Sequence, residues 1–369
     1  MKNRITRIAQ RTGRFGMLSG LIVLILPGHA PAEKPAENLH EKEGAISLVG
    51  APAISSSPGF GNGLGGVGLL FFRPDASDTV SPNSSLTALG LYSDTDSYFL
   101  GAFCPLYLKE DRWRVSPGLV RGRVRSDLNI GLDRSARFDD DFLGGFLKVL
   151  HQVKGNWYAG GAFSVMDHRY TARNEQADSY FSLYDVEDVT SGMLSAVAAF
   201  DSRNDQRYPT RGQNAECSLG WAPDGLAEGD AYTTVQATWA VYHEFARRHV
   251  VAAQMVGRTV SEDAPYYERP TLGQRGDLRG YTPGEIVGEH SLSGQVELRS
   301  FFTERLGGVV FGGVGALWEN GLSSKDVYPS FGLGLRFRLQ QENKVSFRVD
   351  YAVGEADQDG WYVSVAEAF

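Results

Sequence analysis

Apolar and polar residues alternate with a period of two along much of the chain. From Ala231 to Phe245 one face carries Ala231, Thr233, Val235, Ala237, Trp239 and Val241. The opposite face carries Tyr232, Thr234, Gln236, Thr238, Tyr242 and Glu244. Further on, Phe331, Leu333, Leu335, Phe337 and Leu339 alternate with Gly332, Gly334, Arg336 and Arg338. Val345, Phe347, Val349, Tyr351 and Val353 alternate in turn with Ser346, Arg348 and Asp350. Such alternation predicts strands with one apolar and one polar face. Soluble sandwiches share the pattern, but their strands average about 5 or 6 residues, and these runs are longer. Polar faces rich in Arg, Glu, Gln and Asp suit a wet lumen better than a packed interior. Trp157-Tyr158 and Trp361-Tyr362, at strand ends, suit an interfacial aromatic girdle.

After Glu33 no apolar run is long enough to cross a bilayer as a helix. Only helices and closed barrels satisfy their backbone in lipid, so the pattern predicts an all-β chain folded as a transmembrane antiparallel β-barrel. Residues 33–369 shared among sixteen strands give about 21 each, enough for a spanning strand of about 10 and a connection. Twelve or fourteen strands with longer loops fit the same length. The barrel is expected over 58–369. The Pro-, Ala- and Ser-rich stretch 33–57 reads as a periplasmic tether.

Lys2, Arg4, Arg7, Arg11 and Arg14 stand without an acid before an apolar run from Phe15 to Pro27 and the small-x-small triplet Ala30-Pro31-Ala32. This is the pattern of a secretory signal peptide over 1–32. The run is too short for a spanning anchor. Removing those five cations from a chain of net charge −8 leaves it near −13. Such a balance argues against nucleic-acid binding, which needs a basic footprint. Two cysteines, Cys104 and Cys217, are too few for a disulfide scaffold. One bridge between them stays open, with buried free thiols the simpler reading. Scattered histidines and the lack of a C-x-x-C pair give no sign of a metal, and no cofactor is expected. No G-x-S-x-G elbow or convincing Ser/His/Asp spacing points to an enzyme.

Particular motifs carry more information than composition does. The stretch 271–300 contains Leu278-Arg279-Gly280-Tyr281 and closes on Val296-Glu297-Leu298-Arg299-Ser300. Upstream lies Asp201-Ser202-Arg203-Asn204-Asp205, followed by Pro209-Thr210-Arg211-Gly212. Downstream lie the glycine-rich strands around 309–317, 330–337 and 346–354. Together these resemble the BamA/TamA-like family, the bacterial surface antigen family of outer-membrane barrels, from about Pro52 to Phe369. The end of the chain, with Trp361, Val363, Val365 and Phe369, resembles the terminal signal by which bacterial assembly machinery recognises such barrels.

The resemblance implies an extracellular loop that folds into the barrel and places the arginine of LRGY against the inner wall. Gly280 permits a tight turn, and a cation withdrawn from water needs a partner. Glu297 and Asp350 lie on polar strand faces and are the candidate partners of Arg279. Pro209 and Gly212 fit a register-pinning turn, beside which Asp201, Arg203 and Asp205 can stand as solvated periplasmic charges. Two departures stand out. Phe311-Gly312-Gly313-Val314-Gly315 lacks the family's usual wall aspartate, and Asn204 replaces the second Asp of D-x-R-D. They imply a loop anchored differently or less firmly. Residues 33–57 leave no room for a periplasmic POTRA domain.

The function implied is membrane-protein insertion or polypeptide translocation in the outer membrane of a Gram-negative bacterium. A passive pore or structural surface barrel is the alternative. The partners implied are outer-membrane lipid, the assembly machinery during biogenesis and polypeptide clients. Six glycines within 59–68 would weaken pairing at a seam against 361–369; they would equally relieve crowding in a curved barrel.

Overall fold

A computed structural model describes residues 46–369 apart from 58–59, 132–133, 185, 227–229, 266–267, 274–275, 283–285, 320–325, 341–343, 356–357, 366 and 368. The expected signal peptide, its cleavage site and the first part of the expected tether lie outside these residues. The described chain is a meander of antiparallel strands curled into a barrel. In order they are β1 (Ser47–Ser57), β2 (Gly61–Phe72), β3 (Ser84–Ser93), β4 (Tyr98–Phe103), β5 (Leu106–Leu108) and β6 (Trp113–Gly131). Next come β7 (Arg134–Lys154), β8 (Trp157–Ala172), helix α1 (Glu175–Tyr184), β9 (Val189–Asp201), β10 (Arg211–Ala222) and β11 (Tyr232–Ala246). The last are β12 (His249–Val260), β13 (His290–Phe301), β14 (Leu306–Trp318), β15 (Asp326–Gln340), β16 (Val345–Val353) and β17 (Asp359–Val365).

β4 and β5 are two halves of one stave. Both pair with β6, Phe103 opposite Gly118 and Leu106 opposite Val115. The break falls at Cys104-Pro105, where proline removes a ladder donor, and the Cys104 amide still bonds the Pro117 carbonyl. The barrel therefore has sixteen staves. An even number brings both ends of the barrel chain to one rim, here the termini rim. The long connection between β12 and β13 leaves from the opposite rim.

Strand alternation sorts the side chains as lipid and lumen demand. On β15, Phe331, Leu333 and Leu335 are exposed on the outer wall, whereas Arg336 is buried inside. No helix among the described residues is long and apolar enough to cross a membrane, so the crossing elements are strands. α1 packs Ala177 against Ala136 and Phe138 of β7.

Five expectations need correction. Residues 47–57 are not tether but the first strand, paired along its length with β2. Its Val49, Ala51 and Ala53 face inward, while Leu48, Gly50 and Pro52 face out or toward solvent. The seam therefore lies between β1 and β17, not at β2. Tyr158 and Tyr362 are not girdle residues: both phenols turn into the lumen, where Tyr158 meets Asp111 and Tyr362 meets Gly280. The thiols are free and neither is buried, since Cys217 is exposed and Cys104 is half-covered. Finally, the interior is not uniformly wet. Val49, Val67, Leu69, Phe71, Leu89, Leu91, Phe99 and Phe142 form one buried apolar cluster inside the first staves, joined by Val345 and Val365.

Candidate functional site

The connection between β12 and β13 turns back into the barrel, and Leu278-Arg279-Gly280-Tyr281 is buried there. Leu278 is fully buried with Leu272 and Leu317. Gly280 has φ of +102°, and a Cβ there would lie 2.8 Å from the Val353 carbonyl carbon. Glycine is thus required both by dihedral and by close approach. Its amide donates to Tyr362 Oη at 2.7 Å. Tyr281 donates its hydroxyl to the Pro329 carbonyl and accepts from the Glu355 amide at 3.1 Å.

Arg279 is 1% exposed. Its Nη1 donates to Asp350 Oδ2 at 2.7 Å, its Nη2 to Glu297 Oε2 at 2.6 Å and its Nε to Gln295 Oε1 at 3.2 Å. The guanidinium lies 3.5 Å over the Phe311 ring, and Ser330 Oγ donates to the Arg279 carbonyl. The planar fork of arginine suits this geometry, because one group can meet two carboxylates and an amide oxygen at once. Asp277, just before the motif, holds Arg258 Nη1 at 2.8 Å. Burial pushes the Asp277 carboxyl upward, and the Arg258 charge opposes that rise.

The missing wall aspartate has a steric reason. A Cβ at Gly313 would stand 2.6 Å from Gln295 Cγ and 2.8 Å from Leu278 Cδ1. A Cβ at Gly315 would meet Leu272 at 2.7 Å and Leu278 at 2.8 Å. The glycines make room for the leucines of the loop, while Glu297 and Asp350 supply the charge. The loop is held by these two carboxylates and by its buried leucines.

A second cluster sits toward the termini rim. Asp201 is fully buried and accepts from Arg203 Nη2 at 2.9 Å and Arg114 Nη1 at 3.2 Å. Arg114 also pairs with Asp111 at 2.7 Å and lies 3.8 Å over the Tyr158 ring. Asp201 and Arg203 are therefore not solvated charges. Two Asp and two Arg neutralise one another, as buried ions must. Asn204 accepts from the Thr210 and Arg211 amides, each at 3.0 Å, and donates to Thr210 Oγ1 at 2.9 Å. An aspartate could accept but not donate here, which accounts for the asparagine. Pro209 is buried in this turn; Gly212 has φ of +93°, where a Cβ would come 2.1 Å from the Ser202 carbonyl oxygen.

The chain matches the Omp85 superfamily domain over residues 83–369. It belongs to the Omp85 superfamily. No curated protein matches it by sequence. Among solved structures it is similar to BamA from Haemophilus ducreyi lacking POTRA domains 1–3, at TM-score 0.53 and 16% identity, covering 88% of this chain and 70% of that one. It is also similar to CdiB from Escherichia coli, at TM-score 0.62 and 13% identity, covering 95% of this chain and 69% of that one. CdiB from Acinetobacter baumannii gives a TM-score of 0.54 at 10% identity, covering 87% of this chain and 64% of that one. At such identities the likeness is one of fold.

In this Omp85 barrel the last residues leave the wall. Trp361 is exposed on the outer face, with Val363 opposite Val349 in the β16–β17 ladder. Val365, however, is buried in the inner apolar cluster, and Phe369 packs inside against Ala240 and Tyr242. The chain end thus turns into the lumen. Glu367 pairs with Arg336 at 2.7 Å, and the Phe369 carbonyl accepts from Arg299 at 2.7 Å. Arg336 also holds Asp350, and Arg299 also holds Glu297. Arg279, the two wall carboxylates, Arg336, Arg299 and Glu367 therefore form one continuous ionic network from loop to chain end.

Arg299 and Arg336 were visible only as polar-face residues, and nothing in the sequence linked them to Glu367. Arg114 and Asp111 gave no signal at all, since Asp201 lies 87 residues from Arg114. Among the described residues no group of three or more His, Cys, Asp or Glu could hold a metal ion.

Proposed function

We propose that this chain is a non-enzymatic barrel of the Gram-negative outer membrane that inserts membrane proteins through the seam between β1 and β17. One observation carries the reading. β1 and β17 lie against each other, yet among the described residues no ladder joins them, whereas every other neighbouring pair of staves has a register. A strand edge without its ladder offers backbone donors and acceptors to an incoming strand, and in lipid each unpaired group costs several kcal/mol. Pro52 in β1 supports the reading, because proline is confined to edges and bulges of sheets. The similarity to the barrels of BamA and CdiB points the same way.

A passive pore fits less well. The inward loop is pinned across the lumen by Arg279, and the first staves carry an apolar inner cluster. The test is a covalent lock. Cysteines at Val49 and Val365, which share that inner cluster, are introduced with Cys104 and Cys217 changed to serine. Oxidation is expected to stop insertion of a β-barrel client into vesicles carrying the protein, and reduction to restore it. Undiminished insertion by a fully crosslinked barrel would sink the proposal, and steady ion conductance by the locked form would favour the pore.

A further inference from the structure

The outer wall changes character part-way along β6. Its outward side chains run Trp113, Val115, Pro117 and Leu119, then Arg121, Arg123 and Arg125, while the inward Arg114, Ser116 and Val124 are buried. Arg121 stands level with Leu100 of β4 and Leu143 of β7, which are 53% and 55% exposed. One outward position higher, Arg123 faces Tyr98 and Asp141, and Tyr98 faces the exposed Tyr92 of β3. Trp113 and Arg123 are ten residues apart along β6, a rise of about 25 Å for a strand tilted by about 40°. That is the height of the apolar belt of a transmembrane barrel. Tyr92, Tyr98 and Arg123 therefore mark the edge of the belt at the rim opposite the termini, and Arg121 sits just inside it.

The carboxylates nearest Arg121 are already engaged. Asp141 accepts from Arg123 Nε at 2.8 Å and from its Nη2 at 3.0 Å. Asp139 holds Arg125 at 3.2 Å and Arg173 at 3.6 Å, Asp96 pairs with Arg125, and Asp167 holds Arg169 at 3.1 Å. Arg121 is exposed and makes no hydrogen bond or ion pair among the described residues. Its outward neighbours Leu100, Leu119 and Leu143 offer it no side-chain acceptor. Two further donors on the same face are open: Arg123 Nη1, left over by the grip on Asp141, and the Tyr98 hydroxyl, which bonds nothing among the described residues. Residues directly opposite on paired strands lie about 5 Å apart and second neighbours along a strand about 7 Å, so one small anion is within reach of all three side chains. A bare cation held among leucines at lipid depth is unfavourable, the more so the deeper it lies, unless the lipid brings an anion to it.

We propose that this face of β4, β6 and β7 binds an outer-leaflet lipid through a phosphate monoester on its headgroup, the chemistry of lipopolysaccharide. A phosphate monoester presents three acceptor oxygens and up to two negative charges. Arg121 supplies an unpaired cation and a planar fork suited to phosphate, while Arg123 Nη1 and Tyr98 Oη supply donors beside it. A phosphodiester headgroup has a single charge and only two free oxygens, and leaves one of the three donors unmet. Toward the middle of the belt, Leu100, Leu119, Leu143 and Leu147 are all exposed and give the acyl chains a lane of apolar side chains. The rim fixes the leaflet, because barrels of this kind carry their longer loops on the outer side, and the long β12–β13 connection leaves from this rim. The inference rests on the outer-membrane reading above and is independent of the seam.

The test uses the full chain folded in detergent, with native mass spectrometry scoring the lipid it retains. Lipid A carrying its phosphate monoesters is compared with dephosphorylated lipid A and with phosphatidylglycerol. The phosphorylated form is expected to bind about tenfold more tightly than either. Arg121→Gln is expected to weaken its binding about tenfold, the factor equivalent to ~1.4 kcal/mol, and Tyr98→Phe about threefold, as loss of a neutral donor does. Arg169→Gln, which removes an exposed arginine of the same wall outside the trio, should leave the affinity unchanged. Should Arg121→Gln fail to fold, Tyr98→Phe decides the matter, because it deletes only a hydroxyl that bonds nothing in the barrel. Affinity unchanged by either variant overturns the proposal, as does an equal loss with Arg169→Gln. Equal retention of dephosphorylated lipid A, or of phosphatidylglycerol, overturns it as well. Density-gradient fractionation of the cell envelope tests the parent reading separately. A barrel found outside the outer membrane overturns that reading and this proposal with it, whereas an outer-membrane barrel indifferent to phosphate loses only the lipid site.

Discussion

Arg279 shows how much one residue can organise and how far a motif can be read. LRGY stood out through its resemblance to the surface antigen family, which implied an inward arginine, and a cation withdrawn from water needs a partner. Glu297 and Asp350 followed from the alternation, which places both on the luminal face. Gln295, Phe311 and Ser330 around the same side chain did not follow, since their role depends on strand stagger, which no local pattern records. Removing one partner of a buried pair costs about 3–5 kcal/mol because the other charge is left behind. Here Asp350 keeps Arg336 and Arg348, and Glu297 keeps Arg299. Arg279→Ala should therefore fall at the low end, about 3 kcal/mol, in urea unfolding from lipid vesicles. Arg279→Lys is expected to recover little, because one ammonium cannot span two carboxylates and an amide with the same geometry. Full recovery by lysine would show that charge alone matters at this site.

At the scale of elements the alternating strands were legible and the first strand was not. β1 reads Ser-Leu-Val-Gly-Ala-Pro-Ala-Ile-Ser-Ser-Ser, and its proline, alanines and serines mimic a linker. Its alternation is weak because its outward positions include Gly50 and Pro52. That omission moved the seam to β2, whose glycines then appeared to mark a weak edge. β2 is in fact paired on both sides, and its glycines differ in what they do. A Cβ on Gly65 would stand 1.8 Å from the Gly90 carbonyl oxygen, whereas one on Gly68 meets nothing within 4 Å. Gly65→Ala is expected to destabilise the barrel by about 1–3 kcal/mol, as overpacking does, with Gly68→Ala within about 0.5 kcal/mol of the parent. Equal effects would mean that strand entropy, not close approach, selects glycine here.

The β2–β3 connection offers a pH test at the same scale. Partial burial pushes the Asp78 carboxyl up, but hydrogen bonds from the Ser81 hydroxyl and from the Ser81, Glu110 and Val80 amides outweigh it and bring the value down to about 2. A carboxylate held below its unfolded value contributes stability that is complete above the unfolded pKa and fades as pH falls through the folded one. The parent barrel is therefore expected to lose stability between about pH 4 and pH 2. Asp78→Asn should lose less across that window, as followed by urea midpoints. An identical acid slope in both would remove Asp78 from the account.

For the whole molecule, length allowed sixteen staves as well as twelve or fourteen, and alternation over long runs pointed to a barrel, but neither showed that the interior is divided. The first staves carry an apolar inner cluster, while the later ones carry the ionic network that joins loop to chain end. Arg279 and Glu367 make no ion pair with each other. They are joined through Glu297 and Arg299 on one path, and through Asp350 and Arg336 on the other. If the network acts as a unit, loosening the loop changes what the chain end can hold. Arg336 and Arg299 are then freer to serve the wall carboxylates that Arg279 has left. Arg279→Gln and Glu367→Gln should accordingly be non-additive, with a coupling of about 0.5–3 kcal/mol in a double-mutant cycle of unfolding free energies. The sign is informative as well. Loss of Arg279 leaves Glu297 and Asp350 short of cations, and loss of Glu367 releases two arginines toward them, so the double variant is expected to be more stable than the sum of the singles. Additivity within about 0.3–0.5 kcal/mol would mean that loop and chain end are held independently, each by its own arginines, and that only the seam connects their behaviour.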